Sequence, residues 1–195
     1  TGNRPIYGIT EIQIARYFGV KKAVLVSNGY LTNLTVAQAM TGTFKTAIID
    51  ERSHASLQDA LTLLGAKVIR FKHLDSTDLQ TRISAEIRNE QTVLITDGMF
   101  AHSGEIAPLK KYRRLLGPKV WIWVDDSHAG GVLGERGGGS VELSEISRTK
   151  LIQTVTFSKG FGCYGGAILC SGKLAENIFA RSRIASGNTP IPPML

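Results

Sequence analysis

Nothing in these 195 residues has the look of a membrane anchor, a secretion signal or a disulfide scaffold. No run approaches the ~20 consecutive apolar residues of a spanning helix, and the opening Thr1-Gly2-Asn3-Arg4 is no signal peptide. Cysteine is nearly absent. Cys163 and Cys170 cannot make a disulfide framework or a four-cysteine metal site, and they fit buried thiols in a reducing cytoplasm. Acidic residues are in deficit, 16 against 23 lysines and arginines, and the net charge of +7 raises the question of nucleic acid. The densest basic groups, Lys21-Lys22, Lys110-Lys111 and Arg113-Arg114, lack interleaved aromatics and any nucleic-acid motif. They read as solvated helix faces that exert at most a modest pull on anionic substrates. Internal repeats, low-complexity segments and an interdomain linker are missing too. Gly134-Glu135-Arg136-Gly137-Gly138-Gly139-Ser140 reads as a flexible surface loop, because no lysine and hydroxyl follow to make it a phosphate loop.

What remains is one large domain, 43% hydrophobic and long enough to bury a substantial core. Short apolar runs alternate with amphipathic stretches. Strands are expected at Ala23–Val26, Thr46–Asp50, Lys67–Phe71, Thr92–Asp97, Lys119–Asp125, Leu151–Phe157 and Gly165–Cys170. Helices are expected at Thr10–Tyr17, Leu31–Met40, Ser56–Leu64, Ser76–Arg88, Leu109–Leu116 and Lys173–Arg183. Such alternation predicts an α/β fold, a mainly parallel sheet with helices on both faces. Several strands are continuous apolar runs, as strands covered on both faces are. Ligands in such sheets gather at the carboxyl ends of the strands. The polar clusters Ser27-Asn28-Gly29, Asp97-Gly98, Asp125-Asp126-Ser127-His128 and Ser158-Lys159 all fall there.

Two of these clusters pair chemically. Lys159 sits in a small-residue turn after an apolar strand, and Asp125 ends the strand before. A lysine amine and a carboxylate so related suit pyridoxal phosphate: the amine forms a Schiff base and the acid keeps the pyridine nitrogen protonated. Two rivals fail on spacing. Asp125, Ser127 and His128 are too nearly adjacent for a hydrolase triad, and no nucleophile elbow is present. Asp97, Asp125, Asp126 and two histidines lack any metal-ligand spacing, so no metal is expected.

Five segments in order resemble the α-oxoamine synthases. They are Ser27–Asn33, Asp50–Ser56, Thr96–Phe100, Asp125–Gly134 and Thr156–Gly162, and the similarity runs on to Pro192-Pro193. This resemblance implies the large domain of a fold-type I pyridoxal-phosphate enzyme, a three-layer α/β/α architecture. It also implies an acyltransferase that joins an amino acid to an acyl-CoA with loss of carbon dioxide. Residues 1–195 would be that domain, with the family's N-terminal extension and smaller C-terminal domain missing. Among the family's branches, Phe157–Gly162 and Ala167–Ser171 look closest to the 8-amino-7-oxononanoate synthases of biotin synthesis. Asp125–Ala129 is equally similar to the glycine C-acetyltransferases, and serine palmitoyltransferase is a third option.

The resemblance also assigns roles. Lys159 would hold the cofactor, Asp125 would pair with the pyridinium nitrogen, and His128 would approach the ring's phenolic oxygen. His54 would stack on the ring and handle protons. Gly29 and Tyr30, opening a helix, would receive the phosphate on backbone N–H groups, with a hydroxyl from Thr156. Asp97 would lie near the catalytic groups, and Asn33 would make a structural hydrogen bond. Thr189 would reach the phosphate in a neighbouring subunit, so a homodimer with shared sites is expected. Plainer roles compete at each position: a surface lysine, a helix cap at Asp125 or His54, a backbone-bound histidine at His128, a polar loop residue at Thr189. One departure stands out. Where the family commonly has Phe-Ser-Met-Asp-Gly, this chain has Phe100-Ala101-His102-Ser103-Gly104, so the serine that supports the ring hydroxyl is replaced by Ala101. His102 would compensate, or the site serves another substrate, or the chain is a non-catalytic scaffold subunit that keeps the fold.

Overall fold

The computed structural model describes residues 4–83 and 87–193. Its elements, in order, are α1 (Pro5–Tyr17), β1 (Lys22–Val26), α2 (Gly29–Ala39), β2 (Thr46–Asp50), α3 (Ala55–Leu64), β3 (Lys67–Phe71), α4 (Ser76–Arg82) and β4 (Thr92–Asp97). There follow α5 (Leu109–Leu116), β5 (Trp121–Asp125), α6 (Ser140–Leu143), β6 (Leu151–Thr156), β7 (Gly166–Cys170), α7 (Gly172–Arg181) and α8 (Arg183–Gly187). The seven strands form one sheet in the order β1-β7-β6-β5-β4-β2-β3. β2–β3, β2–β4, β4–β5 and β5–β6 pair in parallel, whereas β7 is antiparallel to both β1 and β6. β6 and β7 are joined by a turn with no crossover helix, and so short a connection can only reverse the chain.

Each strand lies where the apolar runs place it, and every residue of β4 and β6 is buried. One face of the sheet packs Val24, Ile49, Ile95, Trp123, Ile152 and Ile168 against α2, α3 and α7. The other packs Ile48, Leu94, Ile122 and Val124 against α4 and α5, with α1 covering β1 and β7 through Ala15 and Phe18. The architecture is the expected α/β/α sandwich.

Helix ends differ from expectation for local reasons. α1 starts at Pro5, earlier than Thr10, because proline is suited to the first turn, where its missing N–H loses nothing. α2 begins at Gly29, two residues early, because the Asn28 side chain accepts from the Leu31 N–H and caps it. α4 stops at Arg82, where Ile83 turns extended; Ser84, Ala85 and Glu86 of the expected longer helix lie outside the described residues. The segment 134–140, expected to be a flexible loop, is a tied one. Its Gly138 N–H donates to Glu142 Oε2 at 2.7 Å, its Gly138 carbonyl accepts from Gln153 Nε2 at 2.9 Å, and Ser140 is fully buried.

β4 and β5 end in register, Asp97 opposite Asp125, and the chain then leaves β4 through Gly98. A Cβ at Gly98 would fall inside the Asp126 carboxylate and against Ser140 Oγ, both held in the interior. Gly98→Ala is therefore expected to destabilise the fold by about 3 kcal/mol, the upper range for overpacking. The check is a lowered midpoint in urea with an unchanged slope.

Candidate active site

Every parallel strand points its carboxyl end to the same edge of the sheet, and there the polar clusters meet. Gly29, Tyr30, His54, Asp97, Asp125, His128, Thr156 and Lys159 line one cleft of about 130 Å³, together with Ser56 and Ser127. All the candidate residues from the sequence are thus brought together except Thr189. That residue is exposed past the end of α8, and its backbone N–H donates to Asn188 Oδ1 at 2.9 Å.

Lys159 follows β6 by three residues, and its Nζ lies 2.6 Å from His128 Nε2. Burial lowers the Lys159 pKa against the opposing pull of Asp125 and Asp97, and burial together with the Lys159 charge lowers that of His128. A neutral imidazole accepts a hydrogen bond from that amine, and the lowered Lys159 pKa eases the proton loss an amine needs before it acts as a nucleophile.

Asp125 is 3% exposed. Its Oδ1 accepts from the Ser127 N–H at 2.9 Å and its Oδ2 from Asn33 Nδ2 at 2.6 Å. Asn33 stands one turn into α2 from Gly29, on the helix face that meets the sheet. The sequence marks it only as a structural polar residue, yet it contacts the central acid directly. The signal for that role is its complete burial inside a helix, where an asparagine must find partners.

Asp97 accepts from the His54 N–H at 2.9 Å. Burial and then the neighbouring Asp125 charge push its pKa up to about 7 from 3.8. The native state therefore holds this proton more tightly than the unfolded chain does. Its contribution to stability is fully present below about pH 4 and is lost as pH rises through about 7. Asp97→Asn is expected to flatten the fall in stability over that window, measured by urea unfolding without added cofactor.

His54 caps α3, its Nδ1 accepting from the Ser56 N–H at 3.2 Å, while its ring also lines the cleft. The capping and cleft-lining roles hold together. Tyr30 meets that ring edge-on, 6.1 Å between centroids, and its hydroxyl is bonded to Asp59, so its side chain is committed to α3. Gly29 lets the first turn of α2 close on the end of β6: a Cβ there would sit 2.6 Å from Thr156 Cβ. The Thr156 hydroxyl donates to the Gly165 carbonyl at 3.1 Å and accepts from the Ser158 N–H at 3.4 Å. The first amides of α2 beside them make a hollow of the kind that holds a phosphate, into which the Thr156 hydroxyl can donate only by turning from the Gly165 carbonyl.

Asp126, one residue past Asp125, points to the opposite face. It accepts from Ser140 Oγ at 2.5 Å and Gln153 Nε2 at 2.6 Å, and burial raises its pKa to about 6. It fastens the 138–140 segment and does not line the cleft. Ala101 and His102 are exposed on the turn after β4 and do not line it either. Among the described residues no group of three or more His, Cys, Asp or Glu could hold a metal ion, and no helix is long and apolar enough to cross a membrane.

The model of the aminotransferase class I and II family matches residues 5–195. Two curated relatives are 8-amino-7-oxononanoate synthases. The one from Trichlorobacter lovleyi is 32% identical over 99% of this chain and 50% of its own length, and the one from Hahella chejuensis is 35% identical over 95% and 47%. The chain spans about half the length of the curated relatives it matches. Among solved structures, 8-amino-7-oxononanoate synthase from Francisella tularensis superposes with a TM-score of 0.88 at 27% identity, over 99% of this chain and 56% of that one. Serine palmitoyltransferase from S. paucimobilis, with bound PLP-myriocin aldimine, gives 0.87 at 25% identity, over 98% and 50%.

Proposed function

This chain belongs to the aminotransferase class I and II family, and from that membership we propose that it is the cofactor-binding part of a pyridoxal-phosphate-dependent acyltransferase. The net reaction joins an amino acid to an acyl-CoA and releases carbon dioxide, coenzyme A and an aminoketone. The activity most favoured is that of 8-amino-7-oxononanoate synthase, the name both curated relatives carry. Serine palmitoyltransferase activity is the second reading, supported by a structural neighbour of nearly equal likeness.

The observation that carries the proposal is the convergence of Lys159, His128, Asp125 and His54 on one small cleft whose floor is closed by Gly29 and Thr156. The donor set fits pyridoxal phosphate. The α2 amides and Thr156 would hold the phosphate, Asp125 the ring nitrogen, His128 the phenolic oxygen, and Lys159 the aldehyde carbon. When bound, the cofactor supplies an electron-accepting ring that makes the amino acid's Cα–H acidic.

The chain's own residues supply the rest. Asp125, fixed by Asn33 and Ser127, offers a carboxylate that cannot swing away from a ring N–H. Lys159 Nζ, its proton affinity lowered by burial, is the base for the Cα proton. His128 Nε2, in contact with that amine, receives or returns its proton. Asp97, its pKa raised to about 7, carries only part of its negative charge beside Asp125 near neutrality. We further propose a cytoplasmic homodimer in which Thr189, which does not line its own cleft, serves the partner's phosphate.

The test is coenzyme A release by the full chain with alanine, glycine or serine and acyl-CoAs of graded length. Release with one pair is the expected result. No release with any pair, or formation of pyridoxamine phosphate from an amino donor alone, overturns the acyltransferase reading.

A further inference from the structure

The buried polar groups behind the cleft form one connected chain whose protons can be counted. Asn33, Ser56 and Thr154 are essentially inaccessible to water, so each must satisfy its hydrogen bonds within the protein. Asn33 Nδ2 lies 2.6 Å from Asp125 Oδ2 and 2.8 Å from Ser56 Oγ. Thr154 Oγ1 lies 2.8 Å from Asn33 Oδ1. Ser56 Oγ and Ser56 N lie 2.8 and 3.2 Å from His54 Nδ1.

Asp125 sets the direction of every bond that follows. Both of its oxygens accept, one from the Ser127 N–H and one from Asn33, so the Asn33 amide must turn its NH₂ toward the carboxylate. A flipped amide would set two oxygens face to face. Thr154 then donates to the Asn33 carbonyl, and the second N–H of Asn33 goes to Ser56 Oγ. The Ser56 hydroxyl keeps a second lone pair, but Asn33 Nδ2 can only donate, so the one acceptor its proton has within this network is His54 Nδ1. The Ser56 backbone N–H converges on the same nitrogen, which therefore carries a lone pair and no proton.

We propose that Asn33, Ser56 and Thr154 are positioning residues that lock His54 in its Nε2–H tautomer, making it a hydrogen-bond donor toward the cleft. The device links Asp125 to His54 through two side chains, so the acid under one part of the site fixes the proton on the imidazole at another. Its catalytic consequence rests on the function proposed above; the tautomer itself does not.

Nitrogen-15 NMR of the histidine side chains of the full chain, with and without pyridoxal phosphate, reads the tautomer directly, and His54→Gln assigns the signals. The expected result is a directly bonded proton on Nε2 and none on Nδ1. Asn33→Leu removes the donor that turns the Ser56 hydroxyl toward His54, and should move the tautomer ratio toward Nδ1–H by about fivefold, the effect of one neutral hydrogen bond. Ser56→Thr keeps the hydroxyl and should keep the parent ratio. If Asn33→Leu fails to fold, the near-isosteric Thr154→Val should give a smaller shift of the same sign. A proton on Nδ1 in the parent protein, or an unmoved ratio in a folded Asn33→Leu or Thr154→Val variant, overturns the lock. A protein that binds no pyridoxal phosphate but shows the Nε2–H signal overturns the proposed function and leaves the lock standing.

Discussion

Lys159→Ala is expected to lower turnover at least about a thousandfold, the scale on which enzymes lose rate when a nucleophile is deleted. Among the cleft-lining side chains Lys159 alone carries an amine, and that amine contacts His128 at 2.6 Å with its pKa already lowered by burial. On the proposed function, truncation would remove both the covalent tether for the cofactor and the base for the Cα proton. It leaves the hollow at Gly29 and Thr156, and Asp125 with its two donors, untouched. Pyridoxal phosphate should accordingly still bind but dialyse away, and borohydride should no longer fix it to the protein. Coenzyme A release and absorbance after dialysis are the two measurements. A variant that keeps more than a tenth of the activity, or holds the cofactor covalently, would show that another group does the chemistry. A protein that never binds the cofactor, with Lys159 intact, would favour the scaffold reading.

The sheet and the polar ends of its strands were legible because they rest on local pattern. Continuous apolar runs such as Ala47-Ile48-Ile49 in β2 have few alternatives to a doubly covered strand, and a polar residue ending such a run, here Asp50, is placed at the sheet edge by geometry alone. The antiparallel β7 was not separable from its parallel neighbours by composition, since Gly166–Cys170 is as apolar as they are; only the length of the connection from β6 decides its direction. Helix starts at Pro5 and Gly29 depended on caps outside the apolar period. The residues behind the cleft were least legible. Asn33 and Asp125 are 92 positions apart, and Asn33 and Thr154 are 121 apart, so their contact exists only once α2 docks on β5 and β6. Nor did the sequence reveal that Ala101 and His102 stand outside the cleft lining, because the turn that carries them is set by the Phe100 and Glu105 backbone pairing.

Asp125→Asn tests the other half of the pair and is expected to cost roughly a thousandfold in turnover, within the range for deleting one preorganised electrostatic contact. The change is nearly isosteric, but it turns one accepting oxygen into an NH₂ facing a buried donor, Asn33 or the Ser127 N–H, so about 1–3 kcal/mol of stability is expected to go as well. What goes is the negative charge that would hold a pyridine nitrogen protonated, and without it the ring accepts electrons poorly. A second readout separates this from a general loss of structure. The Asp125 charge is one of the causes that raise the Asp97 pKa to about 7, so its removal should move any Asp97-dependent limb of the pH profile toward lower pH. The same charge raises the proton affinity of Lys159, whose amine should therefore shed its proton more readily in the variant. Loss of turnover together with that downward shift identifies charge as the cause. A variant that keeps activity within tenfold of the parent, with the Asp97 limb unmoved, would mean that Asp125 only ties β5 to α2 and that the electron sink is held elsewhere.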